Sequence, residues 1–424
     1  MNQALLEELH ELQARGLYRR LRTLSPGTGT HAFWEGREII LFCGNDYLGL
    51  SHDPRVIEAA GEALSKYGVG TGAARLISGT SDLHTRLEEE LARFKGKERA
   101  LVFGSGYLAN LGILSGLAGG KDLILMDKLC HASLIDGARL SGASIRAFPH
   151  KNYSRCEEIL EKCRGRYRKA LLVSDTVFSM DGDLADLEAL ARLREKFGAL
   201  LVVDDAHGIG VFGREGRGVA EGKVLEKIDV VMGTLSKALG VFGGFAAAPA
   251  ALIDHLVNFS RPFIFATAPP AALMAAALAS LRLIKESSGL RERLWKNAEG
   301  VHRFLISRLD KNAVILSPTG FREGEESQNQ PMRSFVPTRA GRKNELGLRM
   351  TDEGAVSPIF PVLIGPETEA LRISEALLER GVLIPAIRYP TVPRGKARLR
   401  LTVSAAHTEE DLEKLFEALD STWR

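Results

Sequence analysis

The sequence predicts an α/β protein with a large, mostly parallel sheet followed by a smaller C-terminal α+β domain. Two patterns carry that expectation. From about residue 95 to 250, short apolar runs rich in β-formers alternate with helical patterns, as in KALLVSDTVF, LADLEALARLREKFG and ALLVVDDAHG. Near-continuous apolar strands joined by amphipathic helices belong to parallel sheets covered on both faces. After Ala271 the order changes to long helical patterns, then strand signals at AVIL, IFPVLIG, GVLIPAI and ARLRLTV, then a last helix. A chain of 424 residues is long enough for two or three domains. The expected division is an N-terminal helical segment and arm (1–50), a large domain (51–290) and a small C-terminal domain (291–424).

Local signals support each element in turn. The opening MNQALLEELHELQARGLYRRL is a charged amphipathic helix pattern that lacks the apolar stretch of a signal peptide. Within the large domain, Leu184, Leu187, Leu190, Leu193 and Phe197 share one helical face, with Gly198 as the stop. The longest apolar stretch, Ala266 to Ile284, contains Pro269, Pro270 and Arg282, so it reads as a buried helix and not a membrane span. Residues 318–356 are polar and rich in Gly, Arg, Glu, Ser and Asn, the composition of a surface insertion.

Composition excludes several functions. Lys and Arg total 56 against 53 Asp and Glu, and a net charge of +3 provides no electrostatic footprint for nucleic acid or an anionic membrane. The four cysteines, Cys43, Cys130, Cys156 and Cys163, form no C-x-x-C pair. Neither a zinc site nor a disulfide framework is expected, and reduced thiols suit a cytoplasmic protein. The motifs G-x-x-x-x-G-K-[ST], G-x-S-x-G and H-E-x-x-H are absent, as is a strand-initial G-x-G-x-x-G. Nucleotide hydrolases, serine hydrolases and zincins lose ground together.

What remains is a series of polar residues where predicted strands end, the edge at which α/β sheets bind ligands. VVDDAHG places Asp204, Asp205 and His207 there. A buried carboxylate can keep a heteroaromatic nitrogen protonated, although an isolated D-D more often caps a loop. GTLSKALG places Thr234, Ser236 and Lys237 after IDVVM. A lysine at a buried strand end can form an imine with an aldehyde cofactor, and the hydroxyls before it can hold a phosphate; most lysines are simply solvated. Gly104, Ser105 and Gly106 precede a helix starting near Tyr107, where backbone N–H groups can meet an anion or merely make a turn. His131 follows LILM and can stack on a planar cofactor or serve as a hydrogen-bonded loop histidine.

The order and spacing of these stretches resemble the α-oxoamine synthases, a branch of the fold-type I pyridoxal-phosphate enzymes. The similar stretches are NDYLGL (45–50), RLISGT (75–80), SGYLAN (105–110), HASLIDGARLS (131–141), FSMDGD (178–183), VDDAHGIG (203–210), GREGRG (213–218), GTLSKALG (233–240) and YPTVPRGKARLRLTVSAAHT (389–408). They run in family order over most of the chain, with 318–356 as the main gap. The resemblance implies a fold-type I transferase with pyridoxal 5′-phosphate on Lys237, which would also serve as the base at the amino acid α-carbon. It implies Asp204 at the pyridine nitrogen, His131 stacked on the ring, and His207 and Ser179 beside the ring oxygen. The phosphate falls to the Gly106–Tyr107 turn, with Thr267 reaching across from a neighbouring subunit, while Thr234 and Ser236 are further cofactor contacts.

Arg388 is implied for the substrate carboxylate, with Arg19, Thr391 and Asn45 lining the substrate site. Partners on this reading are a small amino acid and an acyl thioester, in a homodimer whose active sites lie at the subunit interface. Family members differ in donor and amino acid. VDDAHGIGVFG and the C-terminal block resemble the branch that joins alanine to a pimeloyl thioester, while HASLIDGARL and TLSKALG are shared with the branch that joins glycine to acetyl-CoA. An aminotransferase would share the lysine, the aspartate and the fold. A non-catalytic partner subunit is disfavoured by the presence of Lys237, His131, Asp204 and His207 together.

Overall fold

The structure, a computed structural model, describes residues 3–309 and 357–423. Its centre is a seven-stranded sheet in the order Arg99–Phe103, Gly244–Ala248, Val230–Thr234, Leu200–Asp204, Ala170–Asp175, Leu123–Asp127, Ser144–Phe148. Only Gly244–Ala248 runs against the others, pairing antiparallel with both of its neighbours. Every residue of Leu123–Asp127 and Ala170–Asp175 is buried. That explains why these strands read as unbroken apolar runs, with helices shielding both faces. The parallel strands end on one edge, where Asp127, Asp175, Asp204 and Thr234 are the last strand residues.

The helix expected after residue 184 begins at Leu187, with the Asp186 side chain accepting from the Ala189 amide, and closes on Gly198 at φ 57°. Leu184 therefore lies outside the helix and bridges to Val177, because the Asp186 cap fixes the first turn. Leu187, Leu190 and Leu193 are buried as their spacing requires.

Two corrections concern the N-terminus. The first helix spans Gln3–Ala14 and stops where Gly16 turns left-handed at φ 65°. Arg19, expected on this helix, lies on irregular backbone beyond it. The chain then forms a hairpin, His31–Trp34 against Arg37–Leu41, whose turn residues Glu35 and Gly36 have φ of 49° and 77°. That pair of left-handed residues makes the twist of the turn match that of the strands. Arg37–Leu41 pairs in parallel with Val382–Leu383, which ties the N-terminal segment to the C-terminal part of the chain.

That C-terminal part contains a three-stranded antiparallel sheet, Ile359–Gly365, Ala397–Thr402 and Ala386–Ile387, with the helices Glu367–Glu379 and Glu409–Thr422. The AVIL strand signal and the 318–356 insertion fall outside the described residues.

Beneath the carboxyl edge of the large sheet lies an ion pair with no solvent access. Lys95 Nζ is 2.9 Å from Asp205 Oδ2, and both side chains are wholly buried. Thr176 Oγ1 donates to Asp205 Oδ1 at 2.6 Å, and Lys95 also donates to the Arg217 carbonyl. Gly218, at φ 112°, closes over the pair. A Cβ there would stand 1.8 Å from Asp205 Oδ2, which is the physical reason for the last glycine of GREGRG. Replacing Lys95 with Met should strand a buried carboxylate and cost about 3–5 kcal/mol of stability, read as a lowered denaturation midpoint in urea.

Candidate active site

Adjacent residues in a strand face opposite sides of a sheet, and the two aspartates of VVDDAHG divide accordingly. Asp205 turns to Lys95, whereas Asp204 is held by the Asn110 amide at Oδ2 (2.7 Å) and the Ala206 backbone N–H at Oδ1 (2.9 Å). Asn110 in turn donates to Ser133 Oγ at 2.8 Å. Asp175 ends the neighbouring strand directly opposite Asp204 and accepts from the His131 amide at 3.0 Å. Burial and then the charge of Asp204 raise the Asp175 pKa well above the usual carboxylate range.

Lys237 sits on the loop after Val230–Thr234. Burial lowers its pKa to about 8 against the opposing pull of Asp204, with Arg400 pushing in the same direction as burial. A lysine so placed is a usable amine near neutral pH. Thr234 and Ser236 both donate to the Gly243 carbonyl, at 2.9 and 3.1 Å, which fixes the turn carrying Lys237.

The helix Gly106–Leu117 approaches this turn end-on. A Cβ on Gly106 would lie 3.3 Å from Thr234 Oγ1, and one on Gly244 would lie 2.6 Å from Gly106 itself, so only glycines allow the approach. Ser105 caps the helix: its hydroxyl accepts from Leu108 N and its carbonyl from Ala109 N. The amides of Gly106 and Tyr107 have no acceptor among the described residues, which leaves two N–H groups for an anion. The Tyr107 hydroxyl donates to Asp136.

His131 caps the helix Ala132–Ser141 through Nδ1, which accepts from Ser133 N, so Nε2 carries the ring proton of the neutral imidazole. His131 is exposed at this edge. Desolvation lowers its pKa, Asp204 opposes this, and Lys237 adds to the lowering. His207 is buried 2.7 Å from the Tyr47 hydroxyl, and burial with the charges of Lys237 and Arg400 holds its pKa well below the ordinary value.

Arg400, on the strand Ala397–Thr402, completes the cluster. Its Nε donates to the Ser179 carbonyl at 2.6 Å and its Nη2 to Asn45 Oδ1 at 3.3 Å, and its charge acts on Lys237, His207 and Tyr47.

Of the residues singled out from sequence, the structure gathers Lys237, Asp204, His131, His207, Asn45, Ser179, Thr234, Ser236, Gly106 and Tyr107 along this edge. It does not bring Arg388 there. That guanidinium donates to the Gly16 carbonyl, Arg19 donates to the Tyr389 carbonyl at 3.0 Å, and Thr391 N closes a turn on Arg388 O at 3.0 Å. These three residues form a separate contact between the N-terminal segment and the 388–391 turn. Thr267 is exposed and bridged to Ala74. Sequence reasoning missed Asn110, Ser133, Asp175, Tyr47 and Arg400. Asn110 could have been found as a wholly buried amide in an apolar helix, one turn after Gly106.

These residues fit pyridoxal phosphate. A carboxylate fixed by two donors suits a protonated ring nitrogen, a low-pKa amine suits an aldehyde, and a helix terminus with two free amides suits a phosphate.

Residues 37–419 match the model of the aminotransferase class I and II family. The 8-amino-7-oxononanoate synthase of Geobacter sulfurreducens is 44% identical over 420 residues, covering 99% of this chain and 97% of its own. The serine palmitoyltransferase of Sphingomonas wittichii superposes with a TM-score of 0.84 at 32% identity, covering 99% of this chain and 96% of that one. A serine palmitoyltransferase structure containing pyridoxal phosphate gives 0.82 at 32% identity over the same shares. The chain belongs to the aminotransferase class I and II family and, within it, to the α-oxoamine synthases.

Proposed function

We propose that this chain joins L-alanine to a pimeloyl thioester, releasing carbon dioxide and the free thiol, to give 8-amino-7-oxononanoate for biotin synthesis. The observation that carries this reading is Lys237 and Asp204 at one sheet edge with Arg400, from the smaller sheet, near enough for its charge to act on Lys237, in a chain 44% identical to a synthase of that name. Pyridoxal phosphate, when bound, supplies an electron-accepting ring that lets an amino acid lose its α-proton.

The chain's own residues divide the remaining work. Lys237 would carry the cofactor and, with a pKa of about 8, its Nζ can take up and return a proton near neutral pH. Asp204 would hold the ring nitrogen's proton, His131 would cover the ring, and His207 and Ser179 would flank it. The Gly106 and Tyr107 amides with Thr234 would hold the phosphate, while Ser236 shapes the turn.

Arg400 is our assignment for the amino acid carboxylate, because its guanidinium is fixed beside Lys237 by Ser179 and Asn45. Arg388, Arg19 and Thr391 we place outside the carboxylate contact, in the contact between the N-terminal segment and the 388–391 turn. A second copy of the chain is proposed to complete the site. Thr267 faces outward, and so do Ile77, Phe259 and Phe265, at 81%, 60% and 69% exposure. No helix among the described residues is long and apolar enough to cross a membrane, in keeping with the cytoplasmic setting we propose.

Three measurements test this reading. With alanine and pimeloyl-CoA, thiol and carbon dioxide should appear in equal amounts; pyruvate alone would instead mark an aminotransferase. In Lys237→Ala, borohydride should fix no cofactor to the chain, while in the cofactor-free native protein aldehyde capture at residue 237 should rise with pH through about 8, as the neutral amine accumulates. Arg400→Lys should raise the KM for alanine at least roughly tenfold, more than Arg388→Lys does, because lysine cannot reproduce the planar fork.

A further inference from the structure

The loop Phe178–Asp183 is a small closed unit. Gly182 N donates to Phe178 O at 2.7 Å, Phe178 N to Asp183 O at 2.9 Å, and Gly182 is packed so closely on Ile359 that a Cβ would stand 2.5 Å from its carbonyl. One side of this loop receives both arginines of the strand Ala397–Thr402. Arg398 binds Met180 O at 3.2 Å and Asp181 Oδ1 at 2.8 Å, and Arg400 binds Ser179 O at 2.6 Å. The direction of the Arg400 guanidinium is therefore set by where this loop stands.

The other side of the loop is gripped by His150. Its Nε2 lies 3.1 Å from Asp183 Oδ2, its Nδ1 lies 3.0 Å from Asp127 Oδ1, and its ring meets the Phe178 ring edge-on at 4.4 Å. Lys151 adds a 3.1 Å contact to the same Asp183 oxygen. Asp127 is the buried last residue of a sheet strand, so it provides a fixed point. Burial opposes a charge on His150, but hydrogen bonds to Asp127 and Asp183 outweigh it and lift the pKa to about 9. The imidazolium donates from both nitrogens, whereas a neutral ring could donate to one carboxylate only.

We propose that His150 is a positioning residue for amino acid binding: bridging Asp127 to Asp183, it anchors the Phe178–Asp183 loop so that the Ser179 carbonyl aims Arg400 at the substrate carboxylate. This rests on the assignment of that carboxylate to Arg400. His150 makes no described contact with Lys237 or Arg400, so its effect is carried by the loop alone.

The test is steady-state kinetics with the holoenzyme, together with cofactor absorbance and melting temperature. His150→Gln keeps one donor and one acceptor but cannot bridge two carboxylates as a double donor. It should raise the alanine KM roughly tenfold and leave kcat and the thioester KM within about twofold, with cofactor absorbance unchanged. Asp181→Asn, which weakens the grip on Arg398 from the other side, should move the alanine KM in the same direction. The pair His150→Gln with Arg400→Lys should bind alanine no worse than Arg400→Lys alone, since both act on one contact.

An unchanged alanine KM in His150→Gln, an additive double variant, or equal losses for both substrates would overturn the proposal. If His150→Gln melts early or loses the cofactor band, Asp181→Asn decides alone. An Arg400→Lys enzyme with native alanine KM would instead sink the carboxylate assignment itself.

Discussion

Two opposite charges with no water around them persist only when every polar atom near them is also engaged, and Lys95 with Asp205 meets that condition through Thr176, Val219 and the Arg217 carbonyl. The rest of the site is built on that pair. It fixes the backbone where Leu200–Asp204 ends, and with it the orientation of Asp204 one residue earlier and His207 two residues later. It also fastens the 208–218 segment over the back of the sheet edge, which is why glycines crowd there. The conspicuous dipeptide thus contains one aspartate for structure and one for the site.

Around Asp204 the electrostatics are mutually dependent. Lys237 is partly neutral because it is buried and Arg400 is near, while Asp204 opposes that tendency. Asp175 is pushed toward its protonated form by burial and by Asp204. Burial, and after it the charges of Lys237 and Arg400, push the His207 pKa well down. Removing any one of these groups changes the protonation balance of the others, so the cluster is better regarded as one titrating unit than as separate residues.

Much of this was legible in the sequence for a simple reason. Parallel strands in an α/β sheet end on a common edge, so polar residues just after apolar runs converge without any knowledge of tertiary structure. Lys237, Asp204 and His131 were found that way. Arg400 was not, because Arg398 and Arg400 alternate with leucines as on any half-exposed strand, and the partners that hold Arg400, Ser179 and Asn45, are 221 and 355 residues away. Arg388 drew attention instead because of its position beside a proline-rich turn. The hairpin at 31–41 escaped because its turn is Glu-Gly, without the Asn or Asp that announces such turns. The N-terminal helix seemed longer than it is because the apolar spacing continues past Gly16, where the backbone does not.

The two ends of the site differ in mechanical character. At the end where the helix Gly106–Leu117 meets Gly244, backbone lies directly on backbone with no space for even a methyl group. That end is incompressible, and it should be the same in any descendant of this protein. At the other end, a guanidinium is steered by a chain of side-chain contacts through a loop, and each link can be exchanged at modest cost. Evolutionary drift, and any attempt to redesign which amino acid is accepted, will therefore find its freedom in that steering chain, while the grip at the helix terminus stays as it is.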